Sequence, residues 1–467
     1  MKRKIFVCAF IFALAFVGVS YAEIISGSGI AVVEVDGGKL QGYIRNNIFT
    51  YHGVPYAEAE LFMPPTKLQL GATVIIDDEQ RRIVLVSIEI VMLSDEFIDR
   101  CRKSIAFIAD VEYENVWLHM THAITTPHAP SSKILGLGGE EIELTTEEQI
   151  DLQKRRYKKK LYEEKIFVAI VDSLKKASQL RNGTMLVGAG ECDVIRGRDI
   201  KTPNGWWIGI NGDFESNETM TTISFKDDFG NYVASIVSFG LKPCVIDNAE
   251  MDAGKRLISA DAPGLMCREL EKKYASPILY FTGAAGDRVP YKTAWYDRLN
   301  DDGKIETIDL GVKQGIEFAN EIAEQMTNAA IDIIDNAILQ QDHMIYLNSD
   351  SFSWKTKQKV QMKPYRELLF NEDGETNVDV NVLALSKDLL LVGGKPEINE
   401  ITERQLKEKS GYKHTLYVSM LNGGMKYMPD EKAYDQCRWE AISSMLMPGA
   451  AEAFVTKSVE LLKDFSE

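Results

Sequence analysis

The sequence predicts an α/β protein in which a mixed sheet is flanked by helices. Residues 72–120 contain two strands, a helix and a further strand in that order, which is the alternation typical of α/β sheets. The second of these strands, residues 82–91, is an almost unbroken apolar run, as expected for a strand that is buried on both faces. With 467 residues, 45% of them hydrophobic and 26% charged, the chain can bury a large core.

The elements follow one another along the chain without a break in this pattern. The capping-box pattern Thr145-x-x-Glu148 begins a helix predicted to run to about residue 180. Further helices are predicted at 94–108, 312–337 and 450–464, and further strands at 72–76, 116–120, 221–225, 232–239, 277–281, 380–385, 389–392 and 415–419. Because no repeat or Pro/Ser-rich linker follows residue 70, residues 70–467 are predicted to form one large α/β domain, preceded by a β-rich segment at 23–69.

The charge balance excludes one class of partner. Asp and Glu number 69 against 53 Lys and Arg, for a net charge of -16, which repels a polyanion unless basic residues are gathered on one face. The basic run at 154–160 lies inside the long predicted helix and is spread over all its faces, so we interpret it as part of a solvated helix. We therefore expect no nucleic-acid partner.

The first 22 residues have the pattern of an export signal. Three basic residues at positions 2–4 precede an apolar stretch at 5–19, and small residues at Ser20 and Ala22 mark a cleavage point. We predict cleavage after Ala22 and an exported protein without a membrane anchor, destined for the periplasm, the surface or the medium; an uncleaved N-terminal anchor is the alternative. The five cysteines beyond this point are widely spaced and lack a Cys-x-x-Cys pair, which argues against a disulfide framework and against thiolate zinc.

Few motifs with possible chemistry stand out. The chain lacks the Gly-x-Ser-x-Gly elbow, the His-Glu-x-x-His motif and a Walker loop. His122 directly follows an apolar strand and is followed six residues later by His128, a pair that is consistent with a metal site or with structural histidines. The small-residue loop at 282–290 has the character of an anion-binding loop, or alternatively of a tight turn after a strand.

In their order along the chain, several segments resemble the catalytic domain of the neutral/alkaline (non-lysosomal) ceramidase family over residues 70–467. The segments are Thr121-His122 with Pro127, Ser259-Ala-Asp-Ala-Pro-Gly264, Gly283-Ala-Ala-Gly-Asp287, 390–397 and Asn422-Gly-Gly-Met-Lys-Tyr-Met-Pro429. The resemblance implies an α/β domain that binds zinc and hydrolyses the amide bond of a lipid-like N-acyl sphingoid base. It also implies that the family's C-terminal immunoglobulin-like domain is missing here.

The residues that this resemblance assigns to zinc are His122, Glu397 and Tyr427. The family's second zinc-binding histidine is replaced by Lys242, and Val289 stands where the true ceramidases carry their serine nucleophile. A shorter segment, residues 33–65, resembles the opening strands of type B carboxylesterases, without the catalytic serine elbow. This N-terminal segment is not expected to have esterase activity.

Lysine in place of histidine changes the chemistry of the expected site. At neutral pH its ammonium is a cation with no lone pair, so it repels a metal ion unless burial lowers its pKa by several units. One hypothesis is a metal-free site in which Lys242 pairs with Glu397 near Tyr427; the other is a zinc site completed by His128. Arg288 beside Asp287 indicates either recognition of an anion or a structural Arg/Asp pair. The function implied by the resemblance is a zinc-dependent hydrolase that uses water to cleave the amide or ester bond of a lipid-like or other N-acyl substrate. The alternative is a binding protein or pseudo-enzyme that has lost the metal.

Overall fold

A computed structural model describes the backbone of residues 30–35, 38–45, 48–50, 70–78, 81–126, 146–178, 182–213, 219–247, 250–251, 255–342, 344–360 and 368–463. The predicted export signal at 1–22 and the alternative zinc ligand His128 lie outside these residues. The chain forms two units, residues 1–51 and 52–467. The described part of the first unit is a three-stranded antiparallel sheet.

The described residues contain eight α-helices. They are α1 Asp95–Ala109, α2 Thr146–Ala177, α3 Asp261–Tyr274, α4 Gly311–Asp335, α5 Glu400–Ser410, α6 Glu431–Asp435, α7 Trp439–Ser443 and α8 Ala450–Lys463. The start of α1 shows how local sequence sets a boundary: Ser94 Oγ accepts a hydrogen bond from the backbone N–H of Phe97 at 3.4 Å, and Asp95 and Glu96 occupy the first turn.

Twenty-four strands are found in the described residues. The first twelve are β1 Ile30–Val35, β2 Gly38–Arg45, β3 Ile48–Thr50, β4 Leu70–Asp77, β5 Arg82–Ile88, β6 Val116–Met120, β7 Gly183–Glu191, β8 Ile195–Thr202, β9 Gly205–Asn211, β10 Thr219–Asp227, β11 Tyr232–Phe239 and β12 Glu250–Met251. The others are β13 Lys255–Arg256, β14 Ile278–Thr282, β15 Arg288–Pro290, β16 Trp295–Leu299, β17 Ile305–Asp309, β18 Ile338–Leu339, β19 Tyr346–Lys357, β20 Glu372–Ala384, β21 Leu389–Gly393, β22 Glu397–Ile398, β23 His414–Val418 and β24 Tyr427–Met428.

The predicted α/β class is confirmed, but the strands are divided among several sheets instead of one. The three main sheets of the second unit have the strand orders β14-β11-β10-β7-β18, β19-β20-β21-β23 and β4-β5-β6. Their inner faces share one hydrophobic cluster that includes Leu85, Trp117, Ile236, Phe281 and Leu391. Separate sheets allow this cluster to be covered from three directions, and each large side chain buried in it contributes about 1.5 to 3 kcal/mol.

Helices cover the outer faces of these three sheets. Helices α1 and α2 pack on β4-β5-β6, α3 and α4 pack on the five-stranded sheet, and α5 and α8 pack on the four-stranded sheet. The basic run at 154–160 lies in α2, where the side chains of Lys154, Lys158 and Lys160 are exposed. Within the described ranges, no helix is both long enough and apolar enough to span a bilayer.

Each of the three main sheets contains one parallel strand pair, and this arrangement positions the candidate site. The pairs are β5 with β6, β11 with β14, and β21 with β23. Parallel strands end at the same edge of a sheet, where ligands of α/β proteins commonly bind. The segments that follow these strand ends carry His122, Lys242, Asp287, Glu397 and Tyr427, the last two on the short strands β22 and β24.

Candidate active site

A buried histidine joins the strand ends beneath the site. His119, on β6, has its Nδ1 2.7 Å from the carbonyl oxygen of Ser419, and its Nε2 is 3.1 Å from the backbone N–H of Thr282. Because that N–H can only donate, Nε2 is the acceptor and Nδ1 carries the proton. Burial lowers the pKa of His119 to about 3, so the ring is neutral and ties the ends of β6, β14 and β23 together.

Glu397 is the centre of the site. Its Oε1 lies 2.8 Å from His122 Nδ1, and its Oε2 lies 2.8 Å from Lys242 Nζ. The Lys242 contact is an ion pair between an ammonium and a carboxylate. The carboxylate is 1% exposed and the lysine 6%, whereas the histidine side chain is 20% exposed. The charged pair therefore lies behind a histidine that reaches the surface.

Tyr427 is brought to this pair by backbone pairing. Strand β24 runs parallel to β22 with Tyr427 opposite Glu397, and the Glu397 N–H donates to the Lys426 carbonyl oxygen at 2.7 Å. The Tyr427 hydroxyl oxygen accepts hydrogen bonds from Lys242 Nζ at 3.1 Å and from Arg198 Nη1 at 3.3 Å. Tyr427 is half-buried, whereas Lys242 and Arg198, which donate to it, are buried.

Arg198 is a second buried cation of the site that sequence reasoning missed. Its Nη2 donates to Glu440 Oε2 at 2.7 Å, and both side chains are 5% exposed or less. The other carboxylate oxygen of Glu440 accepts from Asn399 Nδ2 at 3.1 Å. Arg198 lies on β8 and Glu440 on α7, far from each other in the sequence, and neither belongs to the segments that resemble a known family. No local signal could have linked them.

The pKa values of the Glu397 carboxyl and the Lys242 ammonium are shifted in opposite directions. Burial by itself raises the pKa of the Glu397 carboxyl, but His122 and Lys242 outweigh it and lower that pKa to about 2. Burial by itself lowers the pKa of Lys242, but Glu397 and Tyr427 raise it above its ordinary value. The pair is thus a carboxylate and an ammonium across the physiological range. Arg198 is held charged in the same way, because Tyr427 and Glu440 outweigh the effect of its burial on its pKa.

Backbone strain is concentrated in the segments that form the site. His122 has φ 59°, and Asp261, Asn422 and Lys426 also have φ between 53° and 59°. Non-glycine residues in this left-handed region cost roughly 1 to 3 kcal/mol and are often found at functional sites. At His122 this conformation accompanies the turn of the imidazole onto Glu397.

The loop that carries Lys242 is fixed by the buried carboxylate of Asp261. This carboxylate accepts hydrogen bonds from the backbone N–H groups of Val245 at 3.1 Å, Ile246 at 3.0 Å and Ala262 at 2.7 Å. The Asp261 N–H in turn donates to Ser259 Oγ at 2.9 Å. The Ser259–Gly264 segment therefore holds the loop after β11 through these hydrogen bonds, and it helps to set the position of Lys242.

The loop 283–287 has a structural function in its described contacts. Asp287 Oδ1 accepts the backbone N–H of Glu400 at 3.0 Å, at the start of α5, and burial raises the pKa of Asp287 to about 6 even though Arg288 opposes this rise. Gly286 lies so close to β22 that a Cβ would come 2.7 Å from the Ile398 carbonyl oxygen. The loop thus packs against β22, the strand that carries Glu397.

Arg288 is 1% exposed and faces carboxylates of the chain itself. Its Nη2 lies 3.9 Å from Glu400 Oε1 and 3.6 Å from Glu403 Oε2. An added Cβ on Gly240 would come within 2.0 Å of Arg288 Nη1, so the guanidinium fills the space over that glycine. These contacts favour the structural interpretation of Arg288 over recognition of an external anion.

The donor set brought together here does not fit a zinc ion. Zinc takes three or four ligands with a lone pair to share, whereas Lys242 Nζ is a protonated donor that lies against both Glu397 and Tyr427. His122 Nδ1 is paired with Glu397, so this histidine can offer only its Nε2 lone pair, and one such nitrogen does not complete a zinc site. In the part of the chain that the structure describes, no group of three or more His, Cys, Asp or Glu side chains is arranged to hold a metal. The second hypothesis, with His128 as a ligand, concerns a residue outside that part.

Comparison with known proteins gives matches in structure alone. No family model matches the chain, and no curated protein matches it. The crystal structure of neutral ceramidase from Pseudomonas aeruginosa is similar with a TM-score of 0.61 and 16% identity, over 88% of this chain and 72% of that one. A structure described as ceramidase complexed with C2 is similar with a TM-score of 0.61 and 15% identity, over 89% of this chain and 74% of that one. The chain therefore has the fold of the neutral ceramidase catalytic domain, as its sequence motifs predicted.

Proposed function

We propose that this protein is a hydrolase that cleaves the amide bond of a lipid-like N-acyl substrate. The observation that carries the proposal is the hydrogen bond between His122 Nδ1 and Glu397 Oε1, formed at the strand ends of a ceramidase-like fold. A buried carboxylate that orients a partly exposed imidazole is the arrangement by which general bases are held in hydrolases. Water is the nucleophile in this proposal, because Val289 occupies the position of the family's serine.

The proton inventory supports His122 as the base. When Nδ1 donates its proton to Glu397, Nε2 carries the lone pair and can accept a proton from water. Among the described residues, no hydrogen bond to His122 Nε2 is found. Glu397 also stabilises the imidazolium that forms when the proton is taken up, since the carboxylate is ionised and only 1% exposed.

The proposed reaction is balanced in atoms and charge. The water oxygen forms a bond to the carbonyl carbon while His122 Nε2 takes one of its protons. The carbon–nitrogen bond then breaks, and the same proton passes from His122 to the departing amine. The products are a fatty acid, which ionises in water, and a free amine. Glu397, Lys242 and Asp287 are positioning residues in this scheme, and Tyr427 faces the developing oxyanion.

The remaining expectations belong to the same proposal. We propose that residues 1–22 direct export and are removed, and that the enzyme meets its lipid-like substrate outside the cytoplasm. Nucleic acid is not expected as a partner, because the whole chain carries a net charge of -16.

A binding protein without hydrolysis is the second candidate. The observation that favours it is the Lys242–Glu397 ion pair, which replaces the ligand set that the family uses for catalysis. In that case the protein would bind an N-acyl lipid and release no product.

The test is release of fatty acid from N-acyl sphingoid bases and from simpler N-acyl amines by the purified protein. We expect His122→Ala to lower kcat/KM about 100-fold or more, as is usual for loss of a general base. The matched control is His414→Ala, since His414 is a partly exposed histidine at the start of β23. Substrate binding without release of product would support the second candidate, and equal rates for both variants would contradict the role of His122.

A further inference from the structure

We propose that the Lys242 ammonium takes the place of a metal cation in this site, and that Lys242 and Arg198 together direct the Tyr427 hydroxyl proton toward the substrate. This inference rests on the proposed hydrolytic function and assigns its electrostatic machinery. It concerns residues of this chain that depart from the zinc-binding pattern.

The first step of the argument is the position of the ammonium. Lys242 Nζ lies 2.8 Å from Glu397 Oε2 and 3.1 Å from Tyr427 Oη. These are two of the residues that the family resemblance assigns to zinc, and the cation therefore contacts side chains that a metal would contact. Lys242 is 5% exposed. Its ammonium is therefore held in place by the surrounding protein, and solvent screens its charge only weakly.

The second step is the balance of charge. The two cations that contact Tyr427 each face one buried carboxylate: Lys242 faces Glu397 at 2.8 Å, and Arg198 faces Glu440 at 2.7 Å. The two pairs are already neutral. A divalent ion placed between Glu397 and Tyr427 would meet the Lys242 ammonium and a carboxylate that is already paired with it, so its binding would be opposed by repulsion.

The third step concerns the direction of the Tyr427 proton. Ammonium and guanidinium groups have hydrogen-bond donors and no acceptor. Tyr427 Oη must therefore accept from both Lys242 and Arg198, and its own hydrogen has to point away from them. The two cations also lie about the ring, at 5.0 and 5.1 Å from its centroid. A half-buried phenol with its oxygen held by two charged donors is a strong, oriented donor for an oxyanion.

The decisive experiment compares metal binding by the full protein and three variants. Zinc content is measured after dialysis, and added ZnSO4 is titrated by calorimetry, for the wild type, Lys242→His, His122→Ala and the Lys242→His/His122→Ala double variant. We expect the wild type to hold far less than one zinc per chain, Lys242→His to gain one, and the double variant to lose it. Thermal melting verifies that each variant is folded.

Two results would overturn the inference. One is near-stoichiometric zinc in the wild type that disappears in His122→Ala. The other is a folded Lys242→His variant that gains no zinc affinity, which would show that the ammonium does not occupy a metal position.

The direction of the Tyr427 proton has its own test. We expect Tyr427→Phe to lower kcat about 100-fold with little change in KM, because an oxyanion donor acts in the transition state. An equal loss in KM with unchanged kcat would contradict this role. A metal-free wild type without hydrolytic activity would contradict the proposed function and leave the lysine assignment intact. An active wild type that requires bound zinc would support the proposed function and contradict the lysine assignment.

Discussion

Glu397 contacts His122 with one carboxylate oxygen and Lys242 with the other, each at 2.8 Å. The same buried group therefore orients the partly exposed base and neutralises the buried ammonium. Neither contact can be lost without consequence for the other, because the carboxylate is 1% exposed and water cannot replace either partner.

Replacing Glu397 by glutamine should strongly destabilise the fold. The variant Glu397→Gln keeps the shape and leaves Lys242 as an uncompensated buried cation, which costs about 3 to 5 kcal/mol of unfolding free energy. Glu306→Gln is the control, since Glu306 pairs with Arg298 at the surface and such pairs contribute at most about 1 kcal/mol. Urea denaturation measures both. Similar losses in the two variants would mean that the central ion pair has no special energetic role.

Asp261 provides a second test, because it acts on Lys242 through the backbone. Asp261→Ala leaves three buried N–H groups without an acceptor, and we expect a loss of about 3 kcal/mol or more together with weaker activity. Asp261→Asn should cost less, since asparagine tolerates the φ of 59° and keeps one acceptor oxygen. Asp228→Ala, in an exposed turn, should change unfolding by no more than about 0.5 kcal/mol. Equal effects of the Ala and Asn changes at Asp261 would contradict the role of this side chain as a hydrogen-bond acceptor for the loop.

The sequence predicted the elements whose apolar pattern is strong. Strands β6 and β11 match their predicted bounds, and β5, β10, β14, β21 and β23 match within a few residues, because each is a short buried run between turn residues. Helices α3 and α5 were not predicted. Helix α5 is largely polar, with little hydrophobic periodicity, and α3 begins with Pro263 and Gly264 inside its first turn, which obscures a helical pattern.

Only those site residues that lie in the segments resembling the ceramidase family could be predicted from the sequence. His122, Glu397, Tyr427 and Lys242 were named from the family resemblance, and the structure brings these four together. Arg198, Glu440 and His119 were not predicted as site residues, because the contacts that bring them to the site, such as Arg198 with Glu440 and His119 with Ser419, join distant positions and depend on tertiary packing. Arg288 was considered in the sequence because it stands next to Asp287. In the structure its guanidinium faces carboxylates on α5, which are distant in the sequence.

His119 should contribute to stability without taking part in the chemistry. His119→Phe retains the packing of the ring against Phe281 but leaves the Ser419 carbonyl and the Thr282 N–H unpaired in the interior. We expect a loss of about 2 to 4 kcal/mol of unfolding free energy, with kcat changed little in the folded fraction. Guanidine denaturation and a kinetic assay on the same samples measure the two quantities. A large fall in kcat at unchanged stability would instead place His119 in the reaction.

Glu271 on α3 should give the folded protein a pH dependence of known sign. Burial raises the pKa of its carboxyl to about 7, although Arg268 opposes this rise, from an ordinary value of about 4.5. A raised pKa means that the folded state binds the proton more tightly than the unfolded state. The contribution of this group to stability is therefore fully present below pH 4.5 and is lost as the pH rises through 7.

Relative to Glu271→Gln, the wild type should lose about 2 to 3 kcal/mol of unfolding free energy between pH 5 and pH 8. The exposed Glu269 on the same helix gives the control variant Glu269→Gln, for which no such difference is expected. Urea melts at several pH values measure the profile, and a wild type that gains stability relative to Glu271→Gln as the pH rises would show that the carboxylate, not the acid, is the form that the fold prefers.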